Sequence, residues 1–351
     1  MLSELQEPVE QLLLISTGRQ NPNEGRLFLW YYGKPRGLGH ASVYLHHPVS
    51  LEDKILICTG SDEIGLYSND QSIRELLTGR VWYNDNPSVG SLAVSRGAVY
   101  APIRSDVFIP DNNRGRNPDK IVRVEPDNCT DLYTHRCRIT GLTGDEEFLF
   151  ILDYDRLDHP NVNHPQAITV YRGGITRTLW EKDNYNLFLS INVGNNRVLL
   201  GGVGIIHEID KSSGLVIPRY HDKEVSDAYE ELTGVLDGNS FKRNIREQED
   251  LAIGKGYKDY FLNNSTYEIA YFYQQNFSIR HLVEYQGSIV YAVGKKLFVL
   301  GDKEPAYTFR HTVTGLATAQ INQLEILQGK MNLKMGARKS KSLGLSLRLA
   351  A

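Results

Sequence analysis

The sequence predicts an all-β protein built from repeated antiparallel meanders of short strands. Short apolar runs alternate with polar or glycine-containing turns along most of the chain. Tyrosine and glycine, which favour strands and turns, are abundant at 20 and 31 residues. A parallel α/β sheet needs a crossover of about ten or more residues between successive strands, and most of the gaps here are shorter. These observations favour antiparallel sheets.

The composition predicts a protein with a sizeable core and no intrinsic affinity for nucleic acid or membrane. The 351 residues are 41% hydrophobic and 23% charged, and the net charge is −3. No apolar run is long enough to predict a membrane span, and no basic segment precedes the first apolar stretch. Three cysteines predict a reducing, cytoplasmic environment, with a disulfide between Cys129 and Cys137 as the alternative.

A unit of apolar run, turn, second apolar run and looser third strand recurs along the chain. Hairpin turns at Gly97, Gly194 and Gly287 offer the positive φ that tight connections need. Each of two units has a hairpin turn in the same phase. We therefore predict that Val198 and Leu200 lie on an inner strand of one unit, and that Ile289 and Tyr291 lie on the equivalent inner strand of the other. Six units are clear, and they cover residues 11–33, 54–70, 91–103, 147–174, 187–214 and 279–305.

This spacing of four-stranded units resembles a β-propeller, although no WD dipeptide or kelch glycine pattern identifies a family. The resemblance implies six or seven four-stranded antiparallel blades over residues 1–327, a central channel and a binding face. It also implies ring closure by the termini, for which we expect residues 323–327 to pair beside residues 11–16. Residues 328–351 then form a basic C-terminal tail.

Residues 224–260 interrupt the strand pattern. Ser226 precedes a helical sequence that continues to Leu236, which predicts a short capped helix. The segment is either a degenerate seventh blade or an excursion from a ring of six.

The glycine cluster at Gly201, Gly202 and Gly204 raises the question of a phosphate-binding loop. The dinucleotide motif requires a small residue where His207 stands, and the following residues alternate as a strand does. We therefore predict a hairpin here and no nucleotide cofactor.

One segment is rich in metal-ligating side chains. Carboxylate and imidazole groups can bind a divalent cation, but the spacing matches no known cation loop, and a proline-stiffened polar loop is the alternative. The predicted ligands are Asp153, Asp155, Asp158, His159 and His164.

Other candidate binding residues lie in turns and in the tail. His40 follows a glycine-rich turn, and His46 and His47 come shortly after it, where a solvated loop is favoured over a site. Arg114 and Arg116 lie in a turn-rich insertion that suits an anion or a partner. Lys339 and Lys341 belong to the tail, whose charge suits nucleic acid or another acidic surface.

No nucleophile or metalloenzyme motif is present, so the leading functional hypothesis is a non-enzymatic scaffold that binds a protein partner through the propeller loops. Two alternatives remain. A hydrolase or lyase acting on a carbohydrate or other polar molecule in the channel would need several Asp, Glu or His side chains to converge there. The tail alone would support weak nucleic-acid binding.

Overall fold

The computed structural model describes residues 11–19, 24–31, 33–41, 45–51, 54–59, 64–67, 73–75, 92–103, 119–125, 128–135, 138–154, 166–182, 188–236, 272–273 and 276–320. These residues include 24 strands and helix α1 (Lys223–Leu236). The first twelve strands are β1 (Gln11–Arg19), β2 (Glu24–Tyr31), β3 (Lys34–Ala41), β4 (Leu45–Leu51), β5 (Lys54–Thr59), β6 (Ile64–Tyr67), β7 (Ile73–Glu75), β8 (Ala93–Ser95), β9 (Ala98–Ile103), β10 (Asp119–Glu125), β11 (Asn128–His135) and β12 (Arg138–Gly144). The other twelve are β13 (Leu149–Tyr154), β14 (Gln166–Arg172), β15 (Ile175–Lys182), β16 (Ser190–Val193), β17 (Arg197–Gly201), β18 (Ile205–Asp210), β19 (Val216–His221), β20 (Ile279–Tyr285), β21 (Ser288–Val293), β22 (Lys296–Val299), β23 (Tyr307–Thr308) and β24 (Thr312–Gln320).

The strands form six antiparallel sheets of four strands each. Sheet 1 has the order β24-β1-β2-β3, so the last strand of the chain joins the first three. Each of the remaining five sheets contains four consecutive strands. Sheet 2 is β4 to β7, sheet 3 is β8 to β11, sheet 4 is β12 to β15, sheet 5 is β16 to β19 and sheet 6 is β20 to β23. Each of the six units predicted from the sequence lies in a different sheet, which confirms the repeat.

The sheets follow one another around a closed ring. The innermost strands β24, β4, β8, β12, β16 and β20 contact each other in that order, and β20 contacts β24 again. Outer strands such as β15 and β19 are largely exposed. Radially arranged four-stranded sheets define a β-propeller, so the predicted all-β propeller fold is confirmed. Among the described residues, no helix has the length and apolarity that crossing a membrane requires.

The inner strands are buried on both faces because each sheet packs against two neighbours. On β1, Leu12 and Leu14 pack in a cluster with sheet 2, while Leu13 and Ile15 pack in a cluster with sheet 6. Successive side chains of a strand point to opposite faces. A strand buried on both faces can therefore be apolar at successive positions, which explains the continuous apolar run at residues 12–15 of β1.

Ring closure by the C-terminal part of the chain is observed, but the predicted closing strand is wrong. Strand β24 pairs with one edge of β1, from Gln11 opposite Gln320 to Gly18 opposite Thr312, and β2 pairs with the other edge. No edge of β1 is left for residues 323–327, which lie outside the described residues. Several positions of β24 hold glycine or alanine, which weakened its strand signal in the sequence.

Helix α1 is present, and it begins before the predicted cap. Asp222 is the observed cap, because its Oδ1 accepts a hydrogen bond from the Val225 amide at 3.2 Å. The hydroxyl of Ser226 instead lies 2.7 Å from Nε2 of His221. Sheets 5 and 6 contact each other directly through β16 and β20, so this segment places no further blade between them. Residues 237–260 of the predicted excursion lie outside the described residues.

Two predictions about the hairpins are confirmed. Strands β17 and β18 pair antiparallel around the glycine cluster, as expected for a hairpin rather than a dinucleotide-binding loop. Val198 and Leu200 lie on β17, and Ile289 and Tyr291 lie on β21, which is likewise the second strand of its sheet. In both sheets these side chains pack against the preceding sheet of the ring.

Candidate functional site

A cavity of about 1030 Å³ opens at one end of the ring, and all six innermost strands contribute to its wall. The hairpins that follow β12, β16 and β20 form part of its mouth, because Asp145, Asn195 and Gly287 also line it. Each innermost strand contributes at least one lining residue, and these include His47, Ala93, Thr143, Asn192, Glu284 and Thr318. This position at the centre of the ring makes the cavity the candidate site.

An ion pair between sheets 4 and 5 holds one side of the mouth. Nζ of Lys211 lies 2.8 Å from Oδ2 of Asp145, and it also donates to the carbonyl of Asn195 at 2.8 Å. Oδ1 of Asp145 accepts hydrogen bonds from the amides of Glu147 and Phe148. Burial alone would raise the pKa of Asp145, but the hydrogen bonds from Lys211 and the two amides lower it. Asp145 is therefore a fixed anion that positions the hairpin.

A second charged group links sheets 5 and 6. Arg197 donates two hydrogen bonds to the Glu284 carboxylate, from Nε at 3.1 Å and from Nη2 at 2.8 Å, and a third from Nη1 to Glu208 at 2.9 Å. Arg219 donates to the same oxygen of Glu208 at 2.6 Å. A Cβ atom at position 194 would lie 2.3 Å from Oε2 of Glu284, so Gly194 is needed for this close approach. The bidentate geometry fixes the relative position of the two hairpins.

Histidines of two innermost strands meet at the wall of the cavity. The rings of His47 on β4 and His281 on β20 stack with centroids 6.4 Å apart. Burial lowers the pKa of His46 and of His47 to about 4. The pKa of His281 is well below its usual value because of burial first, and then because of the nearby His47, Arg280 and His46. These imidazoles are neutral at neutral pH.

The close approach of β4 to β24 explains why His47 reaches the channel. A Cβ atom at Gly315 of β24 would lie 2.5 Å from Cα of His47, so only glycine fits there. The solvated-loop interpretation of His46 and His47 is therefore wrong, because both lie within β4. His281 was not among the candidate site residues named from the sequence. Its position near the start of an innermost strand is the signal that could have identified it.

The predicted metal ligands are described only in part. Asp153 is buried, and its Oδ2 lies 2.8 Å from Nε2 of His135 and accepts a hydrogen bond from the Thr169 hydroxyl at 3.0 Å. Asp155, Asp158, His159 and His164 lie outside the described residues. Within the residues that the structure covers, no group of three or more metal-ligating side chains occurs. The metal site stays a prediction, which elemental analysis of purified protein would test.

Most of the predicted binding residues lie outside the described residues: Arg114, Arg116, Lys339 and Lys341. His40 belongs to β3, where it pairs opposite Arg26 in the outermost strand of sheet 1, away from the channel. Of the two cysteines considered for a disulfide, Cys129 lies on β11, and Cys137 is not among the described residues.

Comparison with known proteins supports the fold and leaves the family open. No protein-family model and no curated protein sequence matches this chain. A chain of the nidogen/laminin complex superposes with a TM-score of 0.52 and 10% identity, over 88% of this chain and 98% of that chain. A protein of unknown function from Bacteroides caccae has a TM-score of 0.47 and 9% identity, over 88% and 98% of the two chains. TolB from Acinetobacter baumannii has a TM-score of 0.43 and 12% identity, over 60% and 53%.

Proposed function

We propose that this propeller is an interaction module whose channel mouth binds a protruding segment of a protein partner. The observation that carries the proposal is the pairing of the mouth carboxylates. Asp145 is paired with Lys211, and Glu284 with Arg197. Catalysis by paired carboxylates requires a free acid and a free base, whereas ion pairs between sheets keep a binding surface rigid. A similar fold occurs in the nidogen/laminin complex, which is itself a protein assembly.

The exposed groups around the mouth suggest the chemistry of that segment. Glu146 and Glu147 are exposed on the hairpin between β12 and β13, where Glu147 forms an ion pair with Arg172 at 3.2 Å. Ser212 is exposed in the turn after β18 and lines the same cavity. The cavity is wide enough to admit a loop rather than a single side chain. We propose a polar loop with a basic residue near its tip.

We further propose that the propeller has six blades, one for each sheet. The consecutive contacts of the six innermost strands support this number. The cytoplasmic location and the domain division at residue 327 stay predictions from the sequence.

Photo-cross-linking from the mouth tests the interaction. A photoreactive amino acid at position 146 or 212 should capture a protein from a native extract, while the same group at Thr176, on the outer face of sheet 4, should not. The captured protein, once purified, should bind the Glu146→Lys variant at least tenfold more weakly than the unchanged protein. Equal capture from position 176, or equal affinity for the variant, would contradict the proposal.

An enzyme acting on a polar small molecule in the channel is the second candidate. The observation that favours it is the convergence of His47 with four carboxylate residues around one cavity, which are Asp145, Glu146, Glu147 and Glu284. This candidate predicts turnover that is lost in His47→Gln with the mouth ion pairs intact. Screening purified protein against carbohydrate esters and uronic-acid polymers separates the two functions, because only the enzyme gives product without a partner.

A further inference from the structure

A second cavity, of about 910 Å³, lies at the other end of strand β20. Ile279, near the start of this strand, lines the second cavity, whereas Glu284, near its end, lines the first. The second cavity is formed between sheets 5 and 6, by the ends of β19 and β20 and by the turns on either side of β22. It is therefore separate from the channel mouth.

Aromatic rings form the inner wall of this cavity. Tyr291 and Phe298 are direct partners on β21 and β22, and their rings stack 5.3 Å apart at 14°. Tyr220 of β19 places its ring 5.9 Å from that of Tyr291, so both sheets contribute. Burial raises the pKa of Tyr291 to about 12, so its phenol stays neutral. Such a wall suits a flat apolar group.

Lysines form the rim. Lys295, Lys296 and Lys303 line the cavity and are exposed. None of the three makes an ion pair or a side-chain hydrogen bond with a described residue.

Two aspartates also line the cavity. Asp222 caps helix α1 through Val225, and Asp302 lies in the turn after β22. Three ammonium groups against two carboxylates leave a net positive rim, in contrast to the negative net charge of the whole chain.

We propose that this cavity binds a small planar aromatic molecule carrying an anionic group, a phosphate or a carboxylate. The ring would lie against Phe298, which is half-buried and stacks on the buried Tyr291, and the anion would be neutralised by the lysines at the rim. The volume is in the range of about 300 to 1,000 Å³ that holds a ligand of this size. This site is independent of the interaction proposed for the channel mouth.

A fluorescence titration with 1-naphthyl phosphate tests both halves of the proposal. We expect it to bind at least tenfold more tightly than 1-naphthol, which lacks the anion, and than inorganic phosphate, which lacks the ring. 1-Naphthoate distinguishes the two anions, since equal affinity would show that a carboxylate suffices. If 1-naphthyl phosphate shows no saturable binding, or binds no better than either half, the proposal is overturned.

Variants with matched charge changes locate the site. The triple variant Lys295→Gln, Lys296→Gln, Lys303→Gln should weaken 1-naphthyl phosphate binding tenfold or more and leave 1-naphthol binding unchanged. The control Arg26→Gln, Lys34→Gln, Arg96→Gln loses the same charge from exposed positions that line neither cavity, and it should bind as the unchanged protein does. An equal loss in both triple variants would overturn the proposal, because it would show only non-specific attraction.

Two single variants sharpen the assignment. Phe298→Leu keeps an apolar side chain but removes the ring, and it should weaken the binding of 1-naphthyl phosphate and of 1-naphthol to the same degree, by about fivefold. Asp302→Asn removes a rim anion and should strengthen the binding of the phosphate ester alone, by about two- to threefold. A cooperative thermal unfolding transition above the temperature of the titration, in both variants, is the control for folding. If neither variant changes affinity while both remain folded, the ligand binds elsewhere and the proposal fails.

Discussion

The two cavities at the ends of strand β20 have opposite chemistry. At the channel mouth, charged side chains are paired across neighbouring sheets, as with Arg197 and Glu284. In the second cavity the lysines stand over an aromatic wall and form no ion pair with a described residue. The pair of Arg197 and Glu284 joins strand β17 to strand β20, whereas Lys295 and Lys303 lie in the turns on either side of β22. Paired charges contribute to the structure, whereas unpaired charges over an apolar wall are available to a ligand.

The largest expected effect on the free energy of unfolding concerns His47, which lines the first cavity. Burial lowers the folded-state pKa of His47 to about 4 from 6.5, so between these values the unfolded chain binds more protons. Stability is therefore fully present above pH 6.5 and is lost as the pH falls toward 4. The loss from His47 alone should be about 3 kcal/mol.

Urea unfolding across this pH range measures the effect. His47→Gln should reduce the pH dependence. If the variant keeps the full pH dependence, His47 is not the titrating group.

The junction of sheets 5 and 6 provides the second prediction, because both cavities depend on it. A Cβ atom at Gly201 would lie 2.6 Å from the Ile279 carbonyl oxygen and 2.5 Å from the Ser190 hydroxyl. We expect Gly201→Ala to lower the free energy of unfolding by about 2 to 3 kcal/mol. Gly37→Ala is the matched control, since nothing lies near its Cβ position, and it should change stability by less than about 0.5 kcal/mol. Equal effects of the two changes would contradict this account of the junction.

The contrast between paired and unpaired charges can be measured directly. Glu284→Gln leaves Arg197 with a weaker partner, and we expect it to lower the free energy of unfolding by about 1 to 2 kcal/mol. Lys296→Gln removes an exposed, unpaired charge and should change it by less than about 0.5 kcal/mol. Chemical denaturation of both variants under one set of conditions gives the comparison. If Lys296→Gln is the more destabilising, the division of roles between the two cavities is wrong.

The smallest effect on stability is expected from the basic tail. Deleting residues 329–351 should leave the free energy of unfolding unchanged within about 0.5 kcal/mol, because β24 already closes the ring. The truncated protein should bind an acidic partner such as heparin more weakly. This difference should fade with added salt, since the Debye length is already about 8 Å at physiological ionic strength. Unfolding of the truncated protein would instead place the tail in the core.

Several elements were predictable because their signal is local. The run Leu12 to Ile15 predicts a strand, and the hairpins at Gly194 and Gly287 predict the phase of the strands that follow them. Helix α1 was expected from its own sequence, but its cap was not, because two candidate caps, Asp222 and Ser226, stand close together. The hydrogen bond of Ser226 to His221 depends on the end of β19, which a local pattern does not show.

The closing strand shows where local signals fail. Residues 312–320 are rich in small side chains because they pass close to β4, and this need exists only in the closed ring. The apolar residues 323–327 carry the stronger strand pattern, but β1 has no free edge for them.

The sequence by itself determined the all-β class, the six repeat units and the hairpin at residues 201–204, because each depends on periodicity and turn chemistry within a few tens of residues. The tertiary structure decided which strand closes the ring and that the rings of His47 and His281 stack. It also decided that one end of the junction between sheets 5 and 6 carries paired charges, while the lysines at the other end form no ion pair with a described residue. These features join residues far apart in the chain. Their contacts exist only when all the sheets have closed into one ring, and no local pattern records that geometry.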